Sequence, residues 1–419
     1  MAKNNNLTDL LTDVADAIRA KKSTTDLINP QDFSSEIASI STGRPENSYE
    51  VTFVDVDGTI LKTEYVIKGD SATPPNNPTH EHCTFIKWIG SYTNVEHNCI
   101  IGASYRSSDG NEYYKVKVPA GTLFQLYTAA NTTTDWGDGS STTTSTGVSA
   151  SHTYTSDFEG WITVPVSSSA NSTNSRACVL EKILSSSITT LTSKAVSYME
   201  NCQALIIPDS VVSIDEKVFT NVYTKYVILP DSVTTIGNSA FQDSQVQYVI
   251  LPDSVTTIGN KLFYSSDVKY VVIPSSVTSI GSQLFYYCRT VQTIIYQNSV
   301  TGSTPFGQCF DLINLTLPPN CTSVPRLSLS YALRVLVIPA TVTKLESDML
   351  SDTCLRSIII LATTPPTITT GTSGSLENSL MKRYSIYVPD DVVETYKVAT
   401  NWENYAGYIY PLSTCKESY

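Results

Sequence analysis

A run of similar segments in the middle of the chain constrains its fold more than any other feature. The stretch from Leu205 to Phe285 contains IIPDSVVSIDEKVF, ILPDSVTTIGNSAF, ILPDSVTTIGNKLF and VIPSSVTSIGSQLF. Successive prolines are 22 residues apart, at Pro208, Pro230, Pro252 and Pro274. A period of this length is typical of a solenoid, in which short units stack and share one core. The sequence therefore predicts a mostly β, multidomain protein built around a solenoid.

The third unit shows how each repeat buries its apolar residues. Strand side chains alternate between two faces, so every second apolar residue points inward. We expect Pro252 to end the strand and Gly259 to permit a turn that a bulky residue would not adopt. A short helical turn over residues 260–263 then places Phe263 in the core. The other predicted core residues of this unit are Val246, Val249, Leu251, Val255 and Ile258.

This pattern resembles the BspA-like leucine-rich repeat, with units of the form L-x-x-I-x-I-P-x-S-V-T-x-I-G-x-x-A-F. Degenerate copies extend the resemblance over about residues 178–362, and we assign residues 176–362 to the solenoid. Residues 363–419 break the period and resemble the C-terminal cap of such arrays, which seals the open end of the core. The resemblance implies an array that binds other molecules through an exposed sheet, although a fold does not specify a partner.

Composition excludes several classes of function. The net charge is −12 and the pI is about 4.8, which argues against nucleic acid as a partner. The nine cysteines show no C-x-x-C spacing, so we expect reduced, buried thiols rather than a disulfide framework. No run of 18 apolar residues is present, and we predict no membrane span. Neither a cofactor nor a catalytic nucleophile–base pair is predicted.

The first 44 residues predict two short amphipathic helices. Asn29-Pro30 has the pattern of an N-cap followed by a proline at the first helical position. The wording LTDVADAIRAKKSTTDLINPQDFSSEIASI resembles a helical module at the N-terminus of bacteriophage tail and fibre proteins, with Ser23 where that family has glycine. The segment lacks the apolar region of a secretory signal peptide, which predicts folding in a cytoplasm. The apolar stripe predicted to attach the chain to a virion consists of Leu7, Leu10, Leu11, Val14, Ile18, Phe33 and Ile37.

Residues 45–107 predict a small β module that opens with a hairpin. Asp57-Gly58 is the turn signal between a strand over residues 49–55 and a return strand over 60–68. The string from Phe53 to Thr59 also matches the D-x-D-G-T signature of haloacid-dehalogenase-type phosphatases, in which Asp55 would be the nucleophile. The later acidic pair and the βα alternation of that family do not follow. The module instead resembles the internalin-type B-repeat, a β-grasp-like fold.

The same module contains a group of metal-ligand residue types. His80, His82, Cys83, His97 and Cys99 lie close together in sequence. Their spacing fits no common structural zinc pattern, so we predict loop histidines and packed thiols, with a metal site as the alternative.

Residues 108–168 predict an immunoglobulin-like β-sandwich. The sequence WGDGS followed by HTY resembles the PKD domain, which implies that Trp136 packs in the core and that Asp138-Gly139 forms a turn. A calcium site on Asp135 and Asp138 is the alternative. The Ser/Asn-rich stretch 167–175 is interpreted as a linker into the solenoid.

This order of modules predicts a display protein without enzymatic activity. Our leading hypothesis is a bacteriophage virion protein, a head or tail fibre that attaches to other virion proteins through its N-terminus. Its array would face a host cell-surface protein or glycan, and a homo-oligomer, possibly a trimer, would suit fibre symmetry. The alternative is a bacterial BspA-like cell-surface adhesin. An enzyme would depend on the D-x-D-G-T string alone.

A ladder of outward side chains is the predicted ligand-binding surface. The residues between the inward positions recur with the repeat and should align on neighbouring strands. Exposed aromatic patches tend to mark interaction sites, whereas the alternative is that the ladder only stabilises the sheet or is covered by a neighbour. Its members are Tyr226, Ile228, Tyr248, Ile250, Tyr270 and Val272, flanked by Lys225, Gln247 and Lys269.

Overall fold

The structure is a computed structural model that divides into two compact units. Unit 1 comprises Met1–Thr52, Thr63–Thr73 and Tyr92–Cys99, and unit 2 comprises Phe53–Lys62, Pro74–Ser91 and Ile100–Tyr419. The predicted N-terminal helices, including Leu7 to Ile18, Phe33 and Ile37, lie outside the described residues. Those residues are 45, 48–128, 130–145, 149–165, 172–173, 178–196, 199–288, 290–296, 312, 314–317, 324, 333–345, 355–368 and 384–415.

The first described module is a four-stranded sheet with the order β2-β1-β4-β3. Its strands are β1 (Ser48–Val54), β2 (Ile60–Ile67), β3 (Cys83–Ile89) and β4 (Cys99–Ser107). The predicted hairpin between β1 and β2 is present. The Gly58 N–H donates to the Asp55 carbonyl, and the Asp55 N–H donates to the Thr59 carbonyl, both at 2.9 Å. Gly58 has φ +86°, a left-handed conformation that favours glycine.

The next module packs two sheets around one core. Strands β5, β10, β7 and β8 neighbour each other in one sheet, and β11, β6 and β9 form the other. Side chains of both sheets, among them Tyr114, Phe124, Trp136 and Ile162, share a buried cluster. Both sheets thus contribute to one buried apolar core. The strands are β5 (Glu112–Val118), β6 (Leu123–Tyr127), β7 (Thr132–Asp135), β8 (Ser141–Thr144), β9 (Ser149–Thr153), β10 (Phe158–Val164) and β11 (Ser172–Thr173).

The described residues from Val179 onward form a solenoid with parallel strands. Its longer strands are β12 (Val179–Ile183), β14 (Ala204–Ile206), β16 (Tyr226–Ile228), β18 (Tyr248–Ile250), β20 (Tyr270–Ile273), β22 (Thr293–Tyr296), β23 (Asn314–Thr316), β24 (Val335–Ile338), β26 (Ser357–Ile360), β28 (Ser385–Val388) and β29 (Ile409–Pro411). Its two-residue strands are β13 (Thr190–Leu191), β15 (Ser213–Ile214), β17 (Thr235–Ile236), β19 (Thr257–Ile258), β21 (Ser279–Ile280), β25 (Lys344–Leu345) and β27 (Thr367–Ile368). The longer strands from β16 to β29 form one nine-stranded sheet. The two-residue strands β13, β15, β17, β19 and β21 form a separate five-stranded sheet.

One apolar core runs along the solenoid between these sheets. It contains every predicted core residue of the third unit, including Val249, Ile258 and Phe263. The phenylalanine rings of successive coils stack with centroids 4.4, 5.3 and 5.2 Å apart, from Phe219 through Phe241 and Phe263 to Phe285. The repeat period therefore places like side chains on top of one another, as the sequence predicts.

The serine two residues after each strand-ending proline is another constant position of the repeat, and its contacts explain why. The hydroxyl groups of Ser232, Ser254 and Ser276 each donate to a carbonyl of the preceding coil, at 2.6 to 2.7 Å. Without these hydroxyl groups, the partly buried carbonyls would have no side-chain donor. The serine of the P-x-S-V motif therefore joins neighbouring coils by a hydrogen bond.

Two expectations about the turns of the repeat were wrong. Residues 260–263 do not form a helical turn, because Lys261 has φ 57° and donates its N–H to the next coil, at the Ser282 carbonyl 2.9 Å away. Gly259 is not left-handed either. A Cβ at this position would lie 2.6 Å from the Asn238 backbone nitrogen, so glycine is required by the close approach of the preceding coil.

The first strand of the array belongs to the same sheet as the sandwich. Strand β12 pairs antiparallel with β5 and parallel with β14, giving the sheet order β14-β12-β5-β10-β7-β8. Hydrogen bonding therefore continues across the predicted linker rather than stopping at it.

The C-terminal residues close the last described coils. Two short segments of 3-10 helix, Asp390–Val392 and Glu403–Tyr408, flank α2 (Val393–Val398), the second α-helix after α1 (Ser193–Val196). The Trp402 indole donates to the Pro366 carbonyl at 2.8 Å, and the Tyr396 hydroxyl donates to the Ala362 carbonyl at 2.8 Å. Among the described residues no helix has the length and apolar character needed to cross a membrane.

Candidate functional site

The predicted ladder is present and in register. Tyr226 is paired with Tyr248, and Tyr248 with Tyr270, on neighbouring parallel strands. The rings of Tyr226 and Tyr248 stack at 4.7 Å, and the Lys225 ammonium lies 5.3 Å from the Tyr226 ring centroid. The Lys269 ammonium donates to the Gln247 amide oxygen at 3.0 Å. The repeat thus places aromatic and polar side chains side by side on the outward face of the nine-stranded sheet.

Half of this ladder is covered, and the expectation that it is exposed was wrong there. Tyr226, Ile228 and Ile250 are only 5, 5 and 7% exposed. The cover comes from the β module within unit 2. A Cβ on Gly102 would lie 2.7 Å from Ile228 and 2.8 Å from Ile250, and a Cβ on Gly58 would lie 2.8 Å from the Tyr226 ring. These glycines allow β4 and the hairpin to sit directly on the outward face of β16 and β18.

The rest of the ladder is partly open to solvent. Tyr248, Tyr270 and Val272 are intermediate in exposure. Burial and the neighbouring Tyr248 raise the pKa of Tyr226 to about 12, so its hydroxyl stays protonated. Ligand binding through Tyr248, Tyr270 and Val272 stays a prediction, whereas a ligand could reach Tyr226, Ile228 and Ile250 only if the module moved.

Charged side chains surround the covered part of the ladder. Lys87 of β3 forms an ion pair with Asp231, which follows the proline of the β16 coil. Arg106 of β4 lies 3.8 Å from Asp209 of the preceding coil. All four side chains are at least a third exposed, so these pairs contribute little stability but fix orientation. The contact therefore has an apolar centre and a charged rim.

The residues of the D-x-D-G-T string have structural partners. One carboxylate oxygen of Asp55 accepts from the Tyr105 hydroxyl and from the Val56 N–H, both at 2.8 Å. Asp57 accepts from the Thr59 N–H at 2.8 Å and from its hydroxyl at 3.0 Å. Asp57 thus supports the turn, which is the role predicted for it, and Asp55 joins the end of β1 to Tyr105 of β4.

The predicted metal-ligand types are distributed over separate contacts. In unit 2 the His80 ring lies 3.0 Å from the Glu181 carboxylate, His82 stacks on Tyr113 at 4.1 Å, and burial raises the pKa of the Cys83 thiol to about 12. In unit 1 the His97 ring lies 2.9 Å from the Asn98 carbonyl. Within the described part of the chain, no group of three or more His, Cys, Asp or Glu residues could hold a metal ion.

The WGDGS and HTY residues form one connected structure. Trp136 is fully buried, its indole donates to the Thr142 hydroxyl at 2.9 Å, and the His152 ring stacks on it at 5.3 Å. Asp138 accepts from the Ser140 N–H and lies 2.8 Å from His152. Hydrogen bonds from Ser140 and the nearby His152 hold the pKa of Asp138 below its usual value. These contacts engage Asp138, and the other carboxylate considered for calcium, Asp135, accepts from the Gly137 N–H at 2.9 Å.

Sequence reasoning missed a polar junction where the modules of unit 2 meet. The Lys182 ammonium lies 2.8 Å from the Glu112 carboxylate and donates to the Ala195 carbonyl at 2.6 Å, with both charged side chains fully buried. Beside it, Glu181 also accepts from Lys115 at 2.8 Å. In the sequence, only the charged residues Glu112 and Lys182 within the otherwise alternating strands β5 and β12 indicate this junction.

The repeats match a known protein family. Residues 189–302 and 256–379 match the family described as BspA type leucine rich repeat region, with six copies. The chain carries a BspA-like leucine-rich repeat array. This confirms the predicted family of the solenoid, whereas the B-repeat, PKD and phage-module resemblances stay predictions. No curated protein matches the chain significantly.

Solved structures with some similarity to this chain include a vaccine antigen, a leucine rich cell surface protein and a leucine-rich repeat protein. The pneumococcal vaccine antigen PcpA is 14% identical with a TM-score of 0.27, over 54% of this chain and 76% of that one. A leucine rich cell surface protein from Faecalibacterium prausnitzii A2-165 is 17% identical with a TM-score of 0.23, over 53% and 81%. A leucine-rich repeat protein from Bacteroides ovatus ATCC 8483 is 17% identical with a TM-score of 0.23, over 51% and 73%.

Proposed function

We propose that this chain is a non-enzymatic recognition protein, a BspA-like surface adhesin whose array binds a molecule outside the cell. The observation that carries the proposal is the BspA-type match over the array, because it is specific to the repeat wording and spans most of the solenoid. The stiff stack of coils supports it, since a continuous core and inter-coil hydrogen bonds hold the outward side chains in fixed positions. Preorganised surfaces of this kind lose little entropy on binding.

The open part of the ladder is the proposed contact surface. Tyr248, Tyr270 and Val272 present rings and a methyl-bearing side chain that need no rearrangement to be reached. Tyrosine gives a large contact area and a hydroxyl group at low conformational cost. The covered residues Tyr226 and Ile228 belong instead to the internal contact that holds the β module on the array.

A direct test compares binding to animal and to bacterial surfaces. Fluorescently labelled full-length chain is incubated with cultured epithelial cells and, separately, with fixed bacterial cells. We expect saturable binding to the epithelial cells that falls in the Tyr248→Ser/Tyr270→Ser variant. The Thr256→Ala variant is the matched control, because Thr256 is exposed away from the ladder. Absence of binding to either surface would overturn the proposal.

The second candidate is a homo-oligomeric fibre on a bacteriophage particle, exposed at the virion surface. It is motivated by the resemblance of LTDVADAIRAKKSTTDLINPQDFSSEIASI to the helical module of phage tail and fibre proteins. Binding to bacterial cells only would favour it in the same experiment. A chain without residues 1–44 should then fold but fail to incorporate into particles.

A further inference from the structure

Three polar side chains meet inside unit 2, where the sandwich continues into the array. Lys182 of β12 is paired with Tyr114 of β5 across two antiparallel strands. Glu112 precedes Tyr114 by two residues on β5, so both side chains point to the same face of the sheet. All three side chains are at most 1% exposed. We call Glu112, Tyr114 and Lys182 the buried trio.

The contacts of the buried trio converge on one carboxylate oxygen. Oε1 of Glu112 accepts from the Lys182 ammonium at 2.8 Å and from the Tyr114 hydroxyl at 2.6 Å. The ammonium also donates to the Ala195 carbonyl at 2.6 Å and lies 4.5 Å from the Tyr114 ring centroid. The lysine nitrogen is therefore held beside the glutamate carboxyl group, and groups held together in this way react as if highly concentrated.

A second lysine–glutamate pair nearby differs in its access to water. Glu181 is adjacent to Lys182 in sequence but faces the other side of β12, where its carboxylate accepts from Lys115 at 2.8 Å. The side chains of Lys115 and Glu181 are 35% and 14% exposed, so water reaches this pair. Hydration stabilises both charges. We therefore expect Lys115 and Glu181 to stay an ion pair, which makes them the internal reference for the buried trio.

Burial disfavours the two charges of the buried trio. An ammonium and a carboxylate lose hydration when they are buried, and their mutual attraction offsets only part of that loss. Transfer of one proton from Lys182 to Glu112 gives a neutral amine and a neutral carboxylic acid, which need less hydration. A neutral lysine amine is a nucleophile. Burial and the charge of Glu112 raise the pKa of Tyr114 well above its usual value, so its hydroxyl remains a hydrogen-bond donor.

We propose that the side chains of Lys182 and Glu112 become joined by an amide bond. Nζ of Lys182 attacks the carboxyl carbon of Glu112, and the Tyr114 hydroxyl donates to the oxygen on which negative charge develops. The new C–N bond replaces one C–O bond, the nitrogen loses a proton, and the departing hydroxyl group takes that proton and leaves as water. The reaction changes no oxidation state and consumes no other reactant.

The product keeps the partners that the ion pair has. Its carbonyl oxygen accepts from the Tyr114 hydroxyl, and its N–H donates to the Ala195 carbonyl. Both charges are removed, so the amide suits a buried site better than the ion pair does. The bond ties β5 of the sandwich to β12 of the array without a disulfide, and the described cysteines are free thiols. This cross-link goes beyond the proposed recognition role and does not depend on it.

The test measures the intact mass of the full-length chain, with or without Met1, after denaturation and reduction. In the wild type we expect a mass lower than that of the sequence by one water molecule. The Lys182→Arg variant should have the full mass of its own sequence, because a guanidinium stays protonated and is not a nucleophile. Lys115→Arg is the matched control and should keep the deficit, since Lys115 belongs to the partly exposed pair.

Tandem mass spectrometry of a tryptic digest locates the bond. An amide at Lys182 blocks cleavage there, so residues 107–115 and 177–194 should appear as one branched peptide joined through Glu112 and Lys182. This result does not require Lys182→Arg to fold. The full mass in the wild type, or cleavage after Lys182, would overturn the inference. Loss of water within residues 107–115 alone would also overturn it, because cyclisation at Asp109-Gly110 gives the same deficit without joining two peptides.

Discussion

Tyr226 and Tyr270 occupy the same position of the repeat, two coils apart, yet their surroundings differ. Both lie on the outward face of the nine-stranded sheet and align with Tyr248 between them. Tyr226 is 5% exposed and lies under the hairpin at Gly58, whereas Tyr270 is partly open to solvent. The same repeated side chain therefore supports the β module at the start of the sheet and is partly exposed to solvent further along.

The difference shows that a repeat fixes where a side chain points but not what covers it. The cover is made by residues that do not repeat, namely Gly58, Gly102 and the pair Lys87–Asp231. A glycine in each of two elements removes the Cβ that would otherwise clash with the ladder. Three experiments test this comparison, from the largest expected effect to the smallest.

The first replaces the same repeat position at the covered and open places. Tyr226→Ala should lower the free energy of unfolding by about 3 kcal/mol, because it leaves a cavity under the β module. Tyr270→Ala should cost about 1 kcal/mol, since part of its ring is already hydrated. Urea unfolding of both variants measures the difference. Equal losses would mean that the cover contributes nothing to the burial energy of Tyr226.

The second experiment adds a methyl group at Gly102, where β4 packs on the ladder. Gly102→Ala should cost about 2 kcal/mol, because the new Cβ would lie 2.7 Å from Ile228 and the packed side chains must shift. Thermal unfolding by calorimetry provides the measurement. Gly407→Ala is the matched control, since a Cβ there meets nothing within 4 Å and its φ is not left-handed. If both variants have the same melting temperature, the contact at Gly102 is not tightly packed.

The third experiment measures how pH changes the stability contributed by the contact between His80 and Glu181. Burial, which alone would lower the pKa of His80, is outweighed by the hydrogen bond and charge of Glu181, with smaller contributions from Asp55 and Asp57, so the pKa is raised above 6.5. The resulting stability is fully present below about pH 6.5 and is lost as pH rises through the raised pKa of folded His80.

Urea unfolding at about pH 6 and about pH 9 should therefore show a decrease of about 1 kcal/mol in the wild type that is absent in His80→Gln. Lys115 still pairs with Glu181 in that variant, so the carboxylate keeps a partner. An identical pH dependence in both proteins would remove His80 from the junction.

Much of the array could be predicted because its evidence is repeated in the sequence. Spacing alone places Val249, Ile258 and Phe263 in the core, since each has a counterpart 22 residues away and stacking the units buries all of them. The turn between Asp57 and Gly58 was predictable for a different reason, because local hydrogen bonds and a left-handed glycine specify it. The turn at Lys261 does not follow from its own segment, because its N–H donates to the carbonyl of a neighbouring coil.

The sequence by itself determined the period, the inward residues, the register of the tyrosine ladder and the family of the array, because all of these follow from residues that recur along one strand direction. Only the tertiary structure decided that Tyr226, Ile228 and Ile250 are covered, that Lys182 meets Glu112 inside the protein, and that Tyr287 joins Tyr264 and Tyr286. These contacts join residues that are distant or irregular in sequence. Their formation depends on shape and close approach, which no single segment encodes.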